Sequence, residues 1–240
     1  MNSNENKVIV HGTPGEGARA TGVIKGLVPL LISIFLFGLF AGIILPVAAG
    51  GVVVCGFAVV FLVMLWLAYH SCSRMESYFK GARGEEIVAV WLASLPQDYH
   101  VFHDVEFAGS RGTPLDHLVV GPGGIFVIET KFWSGRVTSD GRALLVDGIE
   151  PSRSPVNQVM AEVKVLKAFF SAKISEVPLV TAVVCFAGGT LKLNRGQSFM
   201  LPGEVAVCNV KDLCSLITGG GEKLASSEIE RFVKLMEYEV

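Results

Sequence analysis

From Gly26 to Tyr69 the chain runs for 44 residues without an Asp, Glu, Lys, Arg or His, about twice the ~20 apolar residues that one membrane-spanning helix needs. Pro46 and Gly50-Gly51 divide the run and leave Leu27–Ile44 and Val52–Tyr69 as two helices joined by a very short turn. The competing reading is a secretory signal, with Val47-Ala48-Ala49 as its small-residue cleavage site. The polar leader of residues 1–25, the length of the apolar run and the second span that follows all speak against it. Lys7, Arg19 and Lys25 precede the run, Arg74, Lys80 and Arg83 follow it, and the turn is uncharged. The positive-inside rule then puts both termini in the cytoplasm of a multi-pass protein of the cell (inner) membrane. Trp66 and Tyr69 sit where interfacial anchors belong, and residues 27–69 make the lipid bilayer a partner. Gly38 and Gly42 form a small-xxx-small pair that would let the two helices, or a second copy in a homo-oligomer, approach closely. Lipid-facing glycines without consequence are the equal alternative.

This run explains a hydrophobic content of 51%, and the remainder reads as an ordinary water-facing chain. Residues 1–25 are polar and Gly-rich around the apolar island Val8-Ile9-Val10, the pattern of a mobile cytoplasmic tail. Residues 26–70 hold the helical hairpin, 71–80 a linker, and 81–240 a domain large enough for its own core. From residue 71 onward 17 Lys and Arg stand against 20 Asp and Glu, a net of −3. That balance excludes a domain that holds nucleic acid by bulk charge, so contacts to phosphates would be local. Five cysteines, odd in number and without metal-ligand spacing, fit reduced residues.

The domain is organised around Asp116–Lys131, DHLVVGPGGIFVIETK. Two runs rich in Val, Ile and Phe flank Gly121-Pro122-Gly123-Gly124, which predicts strand, tight loop, strand. If the loop closes a four-residue hairpin, Val120 faces Ile125, Leu118 faces Val127 and Asp116 faces Glu129, with Lys131 returning to the same face. Like charges opposite each other on a sheet are destabilising, so a fold that builds such a pair holds a cation there or raises a pKa.

Around the hairpin, Gly81–Pro96 predicts a helix with Ile87, Val88, Trp91, Leu92 and Leu95 on one stripe. Glu85 and Glu86 lie in its first turn, where a role at the helix dipole competes with any functional one. A half-buried strand over Tyr99–Phe107 and a Gly/Ser/Arg-rich loop to Pro114 follow. Beyond the hairpin, Arg136–Val137 and Ala143–Val146 read as short strands, with a turn at Asp147-Gly148. Ser154-Pro155 opens a helix whose buried stripe is Val159, Val163, Leu166 and Phe170, with Glu162, Lys164 and Lys167 elsewhere and Gln158 one turn in. Val177–Phe186 predicts a strand covered on both faces, Glu204–Val207 a further strand, and Asp212–Ile217 and Ser226–Tyr238 helices. The fold class is α/β, a mixed central sheet flanked by helices and preceded by two transmembrane helices.

Glu-x-Lys alone proves little: the chain contains it at Glu5–Lys7, Glu129–Lys131 and Glu162–Lys164. Only the second follows a fully apolar strand and has an aspartate at the matching position of the strand before. A plain salt bridge at a sheet edge would have the same spacing.

GARGEE in the first helix, Asp116–Pro122, Gly124–Lys131, Gly135, and Ser154-Pro155 with Gln158 together resemble the nuclease-related domain family, placed in the PD-(D/E)XK nuclease-like superfamily. The likeness covers roughly Gly81–Phe170 and implies a restriction-endonuclease-like fold. It implies that Asp116 and Glu129 bind a metal, Mg²⁺ or Mn²⁺, with Glu85 the matching first-helix glutamate. Lys131 would orient or activate water and steady the phosphate, and Gln158 would be the polar residue opening the following helix. Such a cation takes a few carboxylates plus water and phosphate oxygens, and serves phosphodiester hydrolysis by polarising the ester and supplying hydroxide. Leu115 rather than a proline precedes Asp116, a departure the superfamily tolerates; Glu86 leaves the helix ligand open by one position. His117 points away from Asp116 and reads, with His100 and His103, as packing or surface.

Two functions of different class follow. One is a membrane-anchored, metal-dependent nuclease cutting nucleic acid, DNA before RNA, on the cytoplasmic side. The other is a non-catalytic membrane-associated binding or assembly module that retains the nuclease-like fold. The intact acid, acid and lysine set favours the first.

Overall fold

In the computed structural model, which describes residues 8–44, 51–107, 114–192, 198–201 and 204–237, the hairpin is the middle of a mixed sheet. In chain order the elements are β1 (Ile9–His11), α1 (Glu16–Gly22), α2 (Val28–Ile44), α3 (Gly51–Leu92), β2 (His100–Val105), β3 (Leu115–Gly121) and β4 (Gly124–Lys131). Then come β5 (Arg136–Ser139), β6 (Leu144–Val146), α4 (Pro155–Ser171), β7 (Val180–Phe186), β8 (Thr190–Leu191), β9 (Ser198–Leu201), β10 (Val205–Asn209), α5 (Val210–Thr218) and α6 (Ser226–Glu237). Two compact units result: Arg83–Val240 together with the N-terminal segment to Glu16, and Gly17–Ala82.

In the larger unit seven strands lie in the order β1-β2-β3-β4-β7-β10-β9. β3 is antiparallel to both neighbours, while β4, β7 and β10 run parallel. The β3–β4 register is the expected one, Val120 opposite Ile125 and Leu118 opposite Val127, closed by Gly121 opposite Gly124. The glycines are there for room. A β-carbon on Gly121 would collide with the Tyr99 ring, and Gly123, whose N–H donates to the Tyr99 hydroxyl at 3.2 Å, lies against the Ile217 carbonyl. Strand alternation splits the sheet's side chains between two cores. Leu118, Val120, Ile125 and Val127 pack with Val159, Val163, Leu166 and Phe170 of α4 and with Phe232 of α6. Val119, Phe126 and Ile128 pack on the other face with Val88 and Leu92 of α3 and Leu213 and Ile217 of α5. A second, three-stranded sheet, β6-β5-β8, ends in the two-residue turn at Asp147 (φ 50°) and Gly148 (φ 84°), both left-handed as a tight hairpin turn requires.

Three expectations need correction. Val8-Ile9-Val10 is not part of a mobile tail: β1 adds a parallel edge strand to β2, pairing Ile9 with His100 and His11 with Phe102, and Val8 is buried. Three residues of strand have no local signature, and pairing with a preformed edge supplies the order. Residues 71–80 are not a linker but the interior of α3, 42 residues long. Nothing in Ser71–Lys80 can break a helix, and the glycines at 81 and 84 cost only about 1 kcal/mol each. Gly38 and Gly42 do not join the two apolar helices, since a β-carbon at either would meet nothing. In that unit α2 and α3 meet instead through Phe37 and Phe40 against Phe57, with Phe37 also near Phe61. They approach most closely at Gly22 and Gly26, where a β-carbon would overlap Tyr78 and Met75. Both helices are long and apolar enough to cross a membrane, by length and composition. The hairpin turn at Pro46 and Gly50 and the loop over residues 108–113 lie outside the described residues.

Candidate active site: an acid cluster at the end of the hairpin

At the open end of the hairpin, strand alternation points Asp116 of β3 and Glu129 and Lys131 of β4 toward α4. The β3–β4 ladder reaches His117 opposite Ile128. Asp116, one step further, uses its Oδ2 to accept the Thr130 backbone N–H at 2.7 Å. Glu129 is only 1% exposed. Its Oε1 accepts from the Lys131 ammonium in an ion pair. Lys131 Nζ also donates to Gln158 Oε1 at 3.2 Å, and Gln158 Nε2 donates to Glu162 Oε1 at 3.4 Å. Ser154 is the N-cap that sets where α4 begins, its Oγ accepting the Asn157 N–H at 3.4 Å, and Pro155 occupies the first turn. Gln158 and Glu162, four residues apart, then share the helix face turned to the sheet end.

Glu162 is the residue sequence reasoning placed wrongly. It was set among the residues off the buried stripe, yet it is 4% exposed and part of the cluster. Its position gave the signal: it lies three residues after Val159 and four before Leu166, both fully buried. Asp104 was missed as well. The β2–β3 register runs His103 opposite His117 and Val105 opposite Leu115, so Asp104, with a left-handed φ of 55°, stands across from Asp116.

Glu85 of α3 is buried, and Glu86 beside it is half-buried. The Glu85 carboxylate accepts the Gly15 backbone N–H and enters the cluster through its charge rather than by a direct contact. The structure thus brings Asp116, Glu129, Lys131 and Gln158 together and sets Glu85 within electrostatic reach.

Too many carboxyl groups share too little solvent here, and their protonation shows it. Burial, then the charges of Glu129, Glu85 and Glu162, hold Asp116 well above the usual carboxylate range, only partly opposed by the Thr130 N–H. Although Asp116 as a residue keeps some surface, its carboxyl is enclosed. Glu85 is raised to about 7, first by burial, then by Asp104 and Glu129. Glu162 is raised to about 9, again by burial first, then by the charge and the hydrogen-bonding proximity of Glu129. No N–H or O–H donor reaches Glu129 Oε2 or Glu162 Oε2. A hydrogen bond between these two carboxyl groups therefore needs a proton on one of them.

Among the described residues no three His, Cys, Asp or Glu side chains are gathered into a ready-made metal cage. The donors are nonetheless of the right kind for a hard cation that keeps much of its water: buried carboxylates, two of them with an oxygen that no donor satisfies.

His117 faces the other way, and burial is complete. Its Nδ1 lies 2.7 Å from His103 Nδ1, and its Nε2 has no partner. The unpartnered Nε2 is better a bare acceptor than an orphan N–H, which makes His117 the Nδ1–H donor of the pair. Burial holds both rings below the usual histidine range, His103 at about 4.

The nuclease-related domain family model matches residues 80–187. An uncharacterized protein of Bacillus anthracis is 37% identical over 68 residues, which cover 27% of this chain and 32% of that protein. The chain thus spans about a third of the length of the curated relative it matches. No solved structure matches significantly. Residues 80–187, which contain Glu85, Asp116, Glu129, Lys131, Gln158 and Glu162, are a nuclease-related domain, and it is to this family that the chain belongs.

Proposed function

We propose that the domain is a metal-dependent phosphodiesterase that cuts nucleic acid, DNA in preference to RNA, and that α2 and α3 tether it to the cytoplasmic face of the cell membrane. One observation carries the reading: Asp116, Glu129, Lys131 and Gln158, from three separate elements, converge at one sheet end where carboxyl groups outnumber cations. Asp116 and Glu129, with Glu85, would hold Mg²⁺ or Mn²⁺. Bound there, the cation supplies charge neutralisation at the phosphodiester and a water of lowered pKa. Lys131, held between Glu129 and Gln158 and 18% exposed, is placed to donate to a phosphate oxygen or to orient the attacking water. Gln158 fixes the ammonium from its second side and ties it to α4.

The uncharged 44-residue run and the flanking cations support the tether, with Arg74, Lys80 and Arg83 on the cytoplasmic side. A reporter fused after Val240 should be active only in its cytoplasmic form, and a periplasmic signal would overturn the topology.

The test of activity is the full chain in detergent micelles with labelled DNA and RNA, with Mg²⁺, Mn²⁺ or chelator. Cleavage that needs the metal and is lost in Asp116→Asn and Lys131→Met is expected. Absence of cleavage by the wild type, or equal cleavage by all three proteins, would remove the enzyme reading and leave the non-catalytic binding module.

A further inference from the structure

Glu162 has more to explain than a helix-side carboxylate should. It lies on α4, outside the hairpin, yet its carboxyl abuts that of Glu129. Each of the two residues keeps one buried oxygen, Oε2, without a donor. Two carboxyl groups held face to face are stable only with a proton or a cation between them, because the repulsion of like charges grows as water is excluded. The surroundings distinguish these solutions. A proton-sharing pair is best sealed, whereas Glu162 forms part of the wall of a cavity of about 420 Å³. That cavity runs from Leu115, next to Asp116, along Ser154, Asn157 and Gln158 of the α4 entrance, with Arg153 also lining it. Leu115, Ala161 and Val165 give it apolar walls, and Glu162 is its only carboxylate.

We propose that Glu162 is a metal ligand in its own right, and that with Glu129 it holds a second divalent cation on the cavity side of the cluster. This position is separate from the one assigned to Asp116, Glu129 and Glu85, and the proposal rests on the reading of those residues as a metal centre. Two carboxylates suffice for a magnesium-like ion that retains several waters, and they require no three-residue cage. Glu129, with one oxygen toward Lys131 and one toward Glu162, is the shared ligand of the two positions. In phosphoryl chemistry two cations flanking one carboxylate can stabilise the attacking and the leaving oxygen separately. Arg153 and the α4 entrance would then border the departing strand, at the one place where cationic and amide groups approach the acid cluster.

The test is a Mn²⁺ titration of the full chain in detergent micelles at neutral pH, with free ion read from its electron paramagnetic resonance signal. Two equivalents are expected for the wild type and for the exposed-site control Lys164→Gln. Glu162→Gln should keep one equivalent and bind the other at least ~10-fold more weakly. Glu162→Asp, which retains the charge, should keep both. Two undiminished equivalents in Glu162→Gln, or a single wild-type equivalent lost only in Asp116→Asn, would overturn the proposal. Failure of the nuclease reading is seen separately: a Glu162-dependent second equivalent in a protein that cuts neither DNA nor RNA keeps the metal site and removes the enzyme. No Mn²⁺ binding at all would remove both.

Discussion

Asp116 and His117 are neighbours on one strand and enter two buried polar clusters on opposite faces of the same sheet. On one face two histidines close on each other with a single 2.7 Å hydrogen bond, and burial keeps both neutral. On the other, four carboxyl groups share one ammonium, and two of their oxygens find no donor. The histidine pair is complete as it stands, so it belongs to the architecture. The acid cluster lowers the stability of the fold and is complete only with protons or cations, which is how a site kept for chemistry differs from a polar core.

The contrast predicts opposite responses to mutation. The largest effect is expected at Lys131→Met and Asp116→Asn, with cleavage reduced by about 10²–10⁴-fold. Metal-free Asp116→Asn should nevertheless melt higher than the wild type, because it removes a buried charge facing three others. His117→Ala should do the reverse. It empties a fully buried position and strands the partner ring, so a loss of about 2–4 kcal/mol in denaturant unfolding is expected, with the activity of the folded fraction unchanged. A strong catalytic defect in well-folded His117→Ala would break the division between the two faces.

The pH dependence has opposite signs as well. Both histidines are lowered in the folded state, so their stability is fully present above the unfolded value near 6.5 and is lost as pH falls toward about 4, where His103 titrates. The carboxyl groups are raised, so the folded state prefers them protonated. Their contribution is most favourable below the unfolded value near 4.5 and is lost as pH rises through about 7 for Glu85 and about 9 for Glu162. Melting temperature in chelator should therefore peak in mildly acidic buffer and fall on both sides, and Mg²⁺ should restore only the alkaline side.

Smaller effects sharpen the comparison. Metal-free Glu162→Gln at pH 8 should melt higher by a few degrees, at about 2–4 °C for each kcal/mol relieved. Glu85→Gln should behave similarly, and Glu86→Gln, half-buried and one position away, should change neither stability nor metal response.

The hairpin was legible in the sequence because its alternation, its glycines and its register are all local: Val120 opposite Ile125 follows from the loop alone. Asp116, Glu129 and Lys131 were legible for the same reason. Ser154-Pro155 likewise announced α4 and Gln158. What escaped depends on partners distant in the chain. β1 has three residues and exists through β2, α3 runs on through residues 71–80 because nothing stops it, and Asp104 lies opposite Asp116 through a local left-handed turn. Glu162 was the avoidable miss. Its spacing from Val159 and Leu166 already put it on the buried side, but its charge and its Glu-x-Lys triplet suggested a solvated face.

The central claim is that this cluster is built for a divalent cation, and the most direct measurement is the melting temperature of the full chain at pH 8 with and without Mg²⁺, for wild type and Asp116→Asn. The wild type should gain several degrees on Mg²⁺ addition, while Asp116→Asn starts higher and gains little. Equal gains in the two proteins, or no gain in the wild type, would contradict it.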